Sequence, residues 1–161
     1  MIKVGVITAS DRGAKGERED KSGEVIKELV AQIDGEIAAY QVVPDVKLII
    51  KSEILAMVSQ GVDLILTTGG TGLGPRDVTP DATLEVIDKE VPGLAEAMRM
   101  ESLKVTNRAM LSRAVAGVVE ETLIVNLPGS PKAVSECLEV ILPALPHAVE
   151  LLKDEVEDCA R

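Results

Sequence analysis

The densest run of chemistry-bearing residues spans Thr67 to Thr83 and reads Thr-Thr-Gly-Gly-Thr-Gly-Leu-Gly-Pro-Arg-Asp-Val-Thr-Pro-Asp-Ala-Thr. The apolar Leu64-Ile65-Leu66 before it reads as a buried strand, and Thr79-Pro80 reads as a helix start. Strand, glycine loop, helix is the order that anion binding asks for. Glycines let main-chain N–H groups approach a phosphate, and a helix N-terminus adds unpaired donors and a positive dipole end. Asp77 would repel phosphate unless a cation sat between them, and Mg²⁺ is usually held by one or two carboxylates together with substrate phosphates. The segment therefore reads as a nucleotide-phosphate site, with Thr68, Gly69, Gly70, Thr71 and Gly72 as the cradle and Asp77 as a Mg²⁺ ligand. It is not a Walker A loop, because Pro75 stands where that motif needs Lys, nor a dinucleotide fingerprint, whose third glycine would fall on Pro75.

Positioning such a loop requires strands, and apolar runs supply them. Val4–Thr8, Glu36–Val43, Leu64–Thr67 and Thr122–Asn126 read as strands. Between them lie helical patterns: one capped by Ser22 and running to about Ile33, one over Val46–Gln60 with Ile49, Ile50, Ile54, Leu55 and Val58 inward, and one over Thr79–Asp88 with Thr79 as N-cap. A helix over Gly93–Leu103 follows. Pro131 opens a last one, interrupted near Pro143 and Pro146 and resumed through Leu152, while Met110–Glu121 fits either state. Alternation of this kind implies a parallel sheet covered on both faces, with ligands at the carboxyl ends of the strands. At those ends stand Ser10-Asp11-Arg12, Pro44-Asp45, the glycine loop with Arg76-Asp77, and Asn126-Leu127-Pro128-Gly129-Ser130-Pro131-Lys132. Arg99, Arg108, Arg113 and Lys132 are candidate cations for anionic substrates.

Composition narrows the function classes. The chain has 161 residues, enough for one domain, and a formal net charge of −10, with Tyr40 as its single aromatic. An acidic surface without stacking rings makes nucleic acid a poor partner. No apolar stretch reaches the roughly 20 residues of a membrane span, and Met1-Ile2-Lys3-Val4 runs into a strand, so a cytoplasmic protein is expected. Cys137 and Cys159 lack metal-ligand or disulfide spacing and read as incidental thiols, and His147 lies far from the motifs.

Ser10-Asp11-Arg12, Pro44-Asp45, Thr67–Thr83 and Asn126–Lys132 together resemble the hallmark segments of the molybdopterin adenylyltransferases, the MogA-like family that includes the plant enzyme's domain and the gephyrin G domain. The resemblance runs nearly end to end, through Gly93–Met98, Leu111-Ser112-Arg113 and Ser135-Glu136-Cys137-Leu138. It implies a single domain over residues 1–161: a three-layer α/β/α sandwich with a mostly parallel, Rossmann-like sheet. It also implies Mg²⁺- and ATP-dependent adenylylation of the terminal phosphate of molybdopterin, a homotrimer, and transfer of the product to a downstream molybdenum insertase. The matching residues give Asp45 and Asp77 as the catalytic pair, with Asp77 placing Mg²⁺ and phosphate and Asp45 shaping the reacting centre or holding a metal-bound water. Ser10, Asp11 and Arg12 are expected to touch pterin or phosphate, and Asn126, Gly129 and Ser130 to form the opposite wall. The alternative is a relative that binds molybdopterin, or serves as a scaffold, without turnover. For the trimer contact, the apolar surplus of Gly93–Val119 is the expected source: Leu94, Met98, Leu103, Met110, Leu111, Val115 and Val118.

Overall fold

The apolar runs become strands of one sheet with both faces covered. A computed structural model describes residues 1–154, so Cys159 lies outside the described residues. In chain order the elements are β1 (Ile2–Ala9), α1 (Asp11–Ala14), α2 (Lys21–Val30), β2 (Gly35–Val43), α3 (Lys47–Ser59), β3 (Leu64–Thr68), α4 (Thr79–Leu84), β4 (Lys89–Glu90), α5 (Pro92–Leu103), β5 (Ala116–Val119), β6 (Thr122–Leu127), α6 (Pro131–Ile141) and α7 (Leu145–Leu152). The sheet order is β2-β1-β3-β6-β5-β4. β2, β1, β3 and β6 run parallel, and β5 and β4 close the edge antiparallel. The undecided Met110–Glu121 stretch resolves into the end of a 3-10 turn (Asn107–Leu111) and strand β5. Val119 and Thr122 pair across the tight β5–β6 turn, which a sequence too short for clear alternation did not reveal.

Alternation in the strands sends side chains to two cores. Val4, Val6, Leu64, Leu66, Leu123 and Val125 pack with α2, α5, α6 and α7 on one face. Ile7, Ile65 and Ile124 pack with α3 and α4 on the other. The result is the three-layer α/β/α sandwich with a mostly parallel sheet.

Several local expectations are corrected. The N-cap of α2 is Asp20, whose carboxylate accepts from Gly23 N at 3.0 Å. Ser22 sits inside the helix and donates its hydroxyl to Gly129 O at 2.7 Å, tying α2 to the β6–α6 turn. In α3, Ile49 and Leu55 are 38% and 44% exposed, and Met57 fills the inward position instead. Helix α4 stops at Leu84 rather than Asp88, because the chain peels away to hand Asp88 N–H to Val118 O of β5. Met98 and Val118, expected on an oligomer surface, belong to the core.

Candidate active site

Parallel register brings the chemistry together. Thr8 of β1 pairs with Thr68 of β3, which pairs with Leu127 of β6, and Ala9 pairs with Val43 of β2. The loops leaving these strands therefore emerge side by side around a basin of about 760 Å³. Ser10, Asp45, Thr68, Gly69, Gly70, Asp77, Gly129 and Ser130 line it. Thr71 and Gly72 do not; they face a second cavity of about 430 Å³, walled by Ala95, Met98, Ala114, Ala133 and Cys137. The glycine loop is thus a partition between a polar basin and a largely apolar chamber.

The loop's path depends on left-handed backbone at two residues. Gly69 has φ +92° and Gly70 φ +67°, and a Cβ on Gly69 would drive into Ala9 O. Gly69 N–H donates to Leu127 O at 3.2 Å and Thr68 Oγ1 to Pro128 O at 2.6 Å, so the loop's first residues are anchored to β6. The N–H groups of Gly70, Thr71 and Gly72 donate to no atom among the described residues and remain available to an anion. Gly74 N–H donates to Asp77 Oδ2 at 2.9 Å, which folds the loop back on itself and holds the Asp77 carboxylate beside Gly72.

Arg113 secures this turn from behind. Its Nε donates to Gly72 O at 2.9 Å, its Nη2 to Asp77 O, and its fork engages the Asp81 carboxylate at 3.2 and 3.0 Å. Arg113 N–H donates to Thr71 O at 2.8 Å as well. The guanidinium hydrogen bonds hold the Asp81 carboxyl below its ordinary value. Arg113 is therefore a loop anchor, and Asp81 its partner.

Asp11 and Asp45 brace the ends of β1 and β2 reciprocally. Asp11 N–H donates to Asp45 Oδ2, and Asp45 N–H donates to Asp11 Oδ1, each at 2.9 Å. Arg76 closes a bidentate pair on Asp11 at 3.0 and 2.8 Å. The Arg76 hydrogen bonds, followed by the Asp45 N–H, lower the Asp11 pKa. Burial pushes the Asp45 carboxyl up, and the nearby negative charges of Asp11 and Asp77 add to the rise. The position of Asp45 is thus set by Asp11, whose own oxygens already hold Arg76 and the Asp45 N–H.

Other sequence candidates fall elsewhere. Arg12 is exposed and absent from the basin wall. Asn126 is fully buried; its amide donates to Thr67 Oγ1 and Thr83 Oγ1 at 2.9 Å each, and its oxygen accepts from Val115 N at 3.2 Å. That network locks β6 to β3 and α4, and leaves nothing for a ligand. Ser10 and Ser130 cap α1 and α6 while still lining the basin. Lys132 pairs with Glu136, Arg99 and Arg108 line the chamber, and exposed His147 faces Glu150.

The helix end that meets the basin is also different. Thr79 and Pro80 are buried, and α4 has 6 residues. Val78, not Thr79, is the N-cap, and Thr79 N–H is taken by Gly70 O at 3.2 Å. Thr79 Oγ1 has no hydrogen-bond partner among the described residues. A buried hydroxyl in that state costs about 1–3 kcal/mol. The termini that do reach the basin are those of α6, through Ser130 and Pro131, and of α2, through Asp20, Lys21 and Ser22.

Arg18 and Lys21 supply the basin's cations. Sequence reasoning missed both, because Glu17-Arg18-Glu19-Asp20-Lys21 reads as a solvated loop of mixed charge. Asp20 is held at the rim by Thr8 Oγ1 at 2.6 Å and by the Tyr40 hydroxyl, and burial together with this negative neighbour raises the Tyr40 pKa. Among the described residues no cluster of three or more His, Cys, Asp or Glu is arranged to cage a metal. A site with Asp45 and Asp77 on one wall fits instead a Mg²⁺ that draws its remaining ligands from phosphate and water.

Comparison with known proteins gives consistent matches. A family profile described as "Probable molybdopterin binding domain" matches residues 5–147. The molybdopterin adenylyltransferase of Helicobacter pylori (strain J99) is 44% identical over 154 residues, covering 94% of this chain and 88% of that protein. Gephyrin of Dictyostelium discoideum is 44% identical over 162 residues, spanning 94% of this chain but 23% of the larger protein. The crystal structure of the molybdopterin biosynthesis enzyme MoaB from Thermus thermophilus superposes with a TM-score of 0.90 at 54% identity, covering 96% of this chain and 98% of that one.

Proposed function

The chain belongs to the molybdopterin-binding domain family, and from that premise we propose that it is a molybdopterin adenylyltransferase of molybdenum cofactor biosynthesis, using ATP and Mg²⁺. The observation that carries the reading is the meeting, at one sheet edge, of unpartnered loop N–H groups with Asp45, Asp77, Arg18 and Lys21. Two anions must be brought together in this reaction. An oxygen of the molybdopterin phosphate attacks the α-phosphorus of ATP, a new P–O bond forms, the α–β bond breaks, and pyrophosphate leaves. The nucleophile is already an anion, so no base has to remove a proton; placement and charge compensation are the main tasks.

In this reading Gly70 donates its main-chain N–H to a phosphate oxygen in the basin, Thr71 and Gly72 offer theirs from the partition to a phosphate lying over it, and Arg18 and Lys21 offset the charge from the basin wall. The Gly129–Ser130 turn and the α6 terminus form the facing wall. Asp77, kept beside Gly72 by Gly74 N–H, and Asp45, braced by Asp11, are the residues that would hold Mg²⁺. Bound there, Mg²⁺ would supply positive charge against the phosphates and against the neighbouring carboxylates that add to the raised Asp45 pKa. The apolar chamber across the loop suits the flat ring of a substrate whose phosphate lies over the partition.

The same reading brings a cytoplasmic location, where ATP is available, a transient contact with a molybdenum insertase that takes the product, and a homotrimer. Exposed Met100, Leu103, Val105, Met110 and Leu111, on α5 and the turn after it, supply apolar surface for a repeated heterologous contact. Light scattering across a dilution series tests the trimer; a fully active monomer at every concentration removes it. The activity is tested by pyrophosphate release from Mg-ATP with and without molybdopterin. Asp77→Asn should abolish release while leaving the melting temperature unchanged. Molybdopterin binding without turnover by the wild type would instead identify a non-catalytic relative.

A further inference from the structure

Thr79 Oγ1 is the one buried side-chain polar atom without a partner among the described residues, and Thr79 is 0% exposed. The neighbouring polar groups are otherwise well used: Thr79 N–H reaches Gly70 O, and Thr79 O accepts from Thr83 Oγ1 at 3.0 Å. The hydroxyl is aimed at Gly70. A Cβ built there would fall 2.5 Å from Thr79 Oγ1 and 3.3 Å from Asp45 Oδ1. Thus an unpartnered donor and the Asp45 carboxylate both border the space that a side chain on Gly70 would fill.

The Asp45 carboxylate is divided in a matching way. Oδ2 accepts Asp11 N–H, while nothing among the described residues donates to Oδ1. Rotation of the carboxylate or of the threonine side chain would bring donor and acceptor together through the space that glycine leaves. Thr79 itself does not line the basin, so any effect on the reaction passes through another residue.

We propose that Thr79 is a positioning residue for Asp45: its hydroxyl donates to Asp45 Oδ1 across Gly70 and fixes the carboxylate at the reacting centre. This inference rests on the adenylyl-transfer reading of the basin. With Oδ2 held by the main chain of Asp11 and Oδ1 by Thr79, both oxygens of Asp45 are oriented by the protein before substrate arrives. Gly70 then has a second role besides its left-handed backbone, because any side chain there would separate the pair.

The test combines kinetics with crystallography. Thr79→Val keeps the volume and β-branch and removes only the hydroxyl; Thr79→Ser keeps the hydroxyl. Valine should lower kcat roughly tenfold or more, with KM for both substrates little changed and the melting temperature lowered by no more than about 5 °C. Serine should restore most of the rate. In an Asp45→Ala background, Thr79→Val should cause no further loss, since the acceptor is already gone. An equal fractional loss in both backgrounds, or a serine variant as impaired as valine, would overturn the pairing and leave Thr79 a packing residue. If the wild type shows no turnover at all, the adenylyl-transfer reading fails, and a wild-type crystal structure decides the pairing separately. Thr79 Oγ1 within hydrogen-bond distance of Asp45 Oδ1 supports it, and Thr79 Oγ1 bonded to any other atom refutes it.

Discussion

Arg113→Ala should release the partition between the two cavities. The side chain makes two hydrogen bonds to main-chain carbonyls, Gly72 O and Asp77 O, and a forked ion pair with Asp81. Charge-assisted hydrogen bonds are each worth roughly 1.5–3 kcal/mol when shielded from water. Arg113 and Asp81 side chains are 36% and 43% exposed, so screening takes both carbonyl bonds below that range. With about 1 kcal/mol for each carbonyl and no more than about 1 kcal/mol for the ion pair, the expected loss is about 3 kcal/mol. For a domain of this size, that lowers the melting temperature by about 6–12 °C. Arg113→Lys should recover less than half of it, because an ammonium is a point charge and cannot reach three acceptors in one plane. Thermal melting measures the loss, and hydrogen exchange across Gly70–Asp77 locates it. Loosening Asp77 by even an ångström should also slow adenylyl transfer on the order of 10–100-fold. A melting shift below about 2 °C with unchanged exchange in the loop would refute the anchoring role.

Gly70→Ala forces a Cβ onto a left-handed residue and against Thr79 Oγ1; it should cost about 2 kcal/mol or more in a thermal melt and abolish turnover. Arg76→Ala should destabilise at neutral pH but not in acid: the Asp11 pKa is lowered in the folded protein, so the pair's contribution is present above about pH 4 and fades as pH falls through the lowered value. A melting difference from wild type that persists unchanged at about pH 2 would contradict this. Ala133→Phe narrows the apolar chamber and should raise KM for one substrate with kcat and melting temperature nearly constant. Unaltered KM values for both substrates would mean that no ring enters the chamber.

The layers were legible because the central strands β3 and β6 are short and apolar through their middles. Leu64–Leu66 and Leu123–Val125 have no polar interruption, which is what burial on both faces produces. The antiparallel edge was not legible. Ala116-Gly117-Val118-Val119 lacks a pattern of its own, and β5 exists only because β6 offers it a partner across a tight turn. Helix ends were the least readable. Ser22 and Thr79 both have cap chemistry, but tertiary partners decided otherwise: Gly129 O captured the Ser22 hydroxyl, and Gly70 O captured the Thr79 N–H.

The site followed a similar division. Residues placed by the main chain or by a strand end, such as Gly69, Gly70, Asp45 and Gly129, line the basin where their order in the sequence put them, because position along the chain fixes their place. Residues whose role depends on where a long side chain points were not legible in this way. Arg113 lies on the segment that leads into β5 and reaches back to the carbonyls of Gly72 and Asp77. Arg18 and Lys21 face the basin only because the loop after α1 curls over it. Asn126 shows the opposite error: its polar side chain at a strand end satisfied Thr67 and Thr83, not a ligand. Its carboxamide does in the core what the glycine loop does in solvent, closing β3 against β6. The β3–β6 ladder and the Thr68 hydroxyl on Pro128 O place Thr68 beside the turn that leads to Gly129, and Asn126 reinforces that pairing from the core through Thr67 without lining the basin itself.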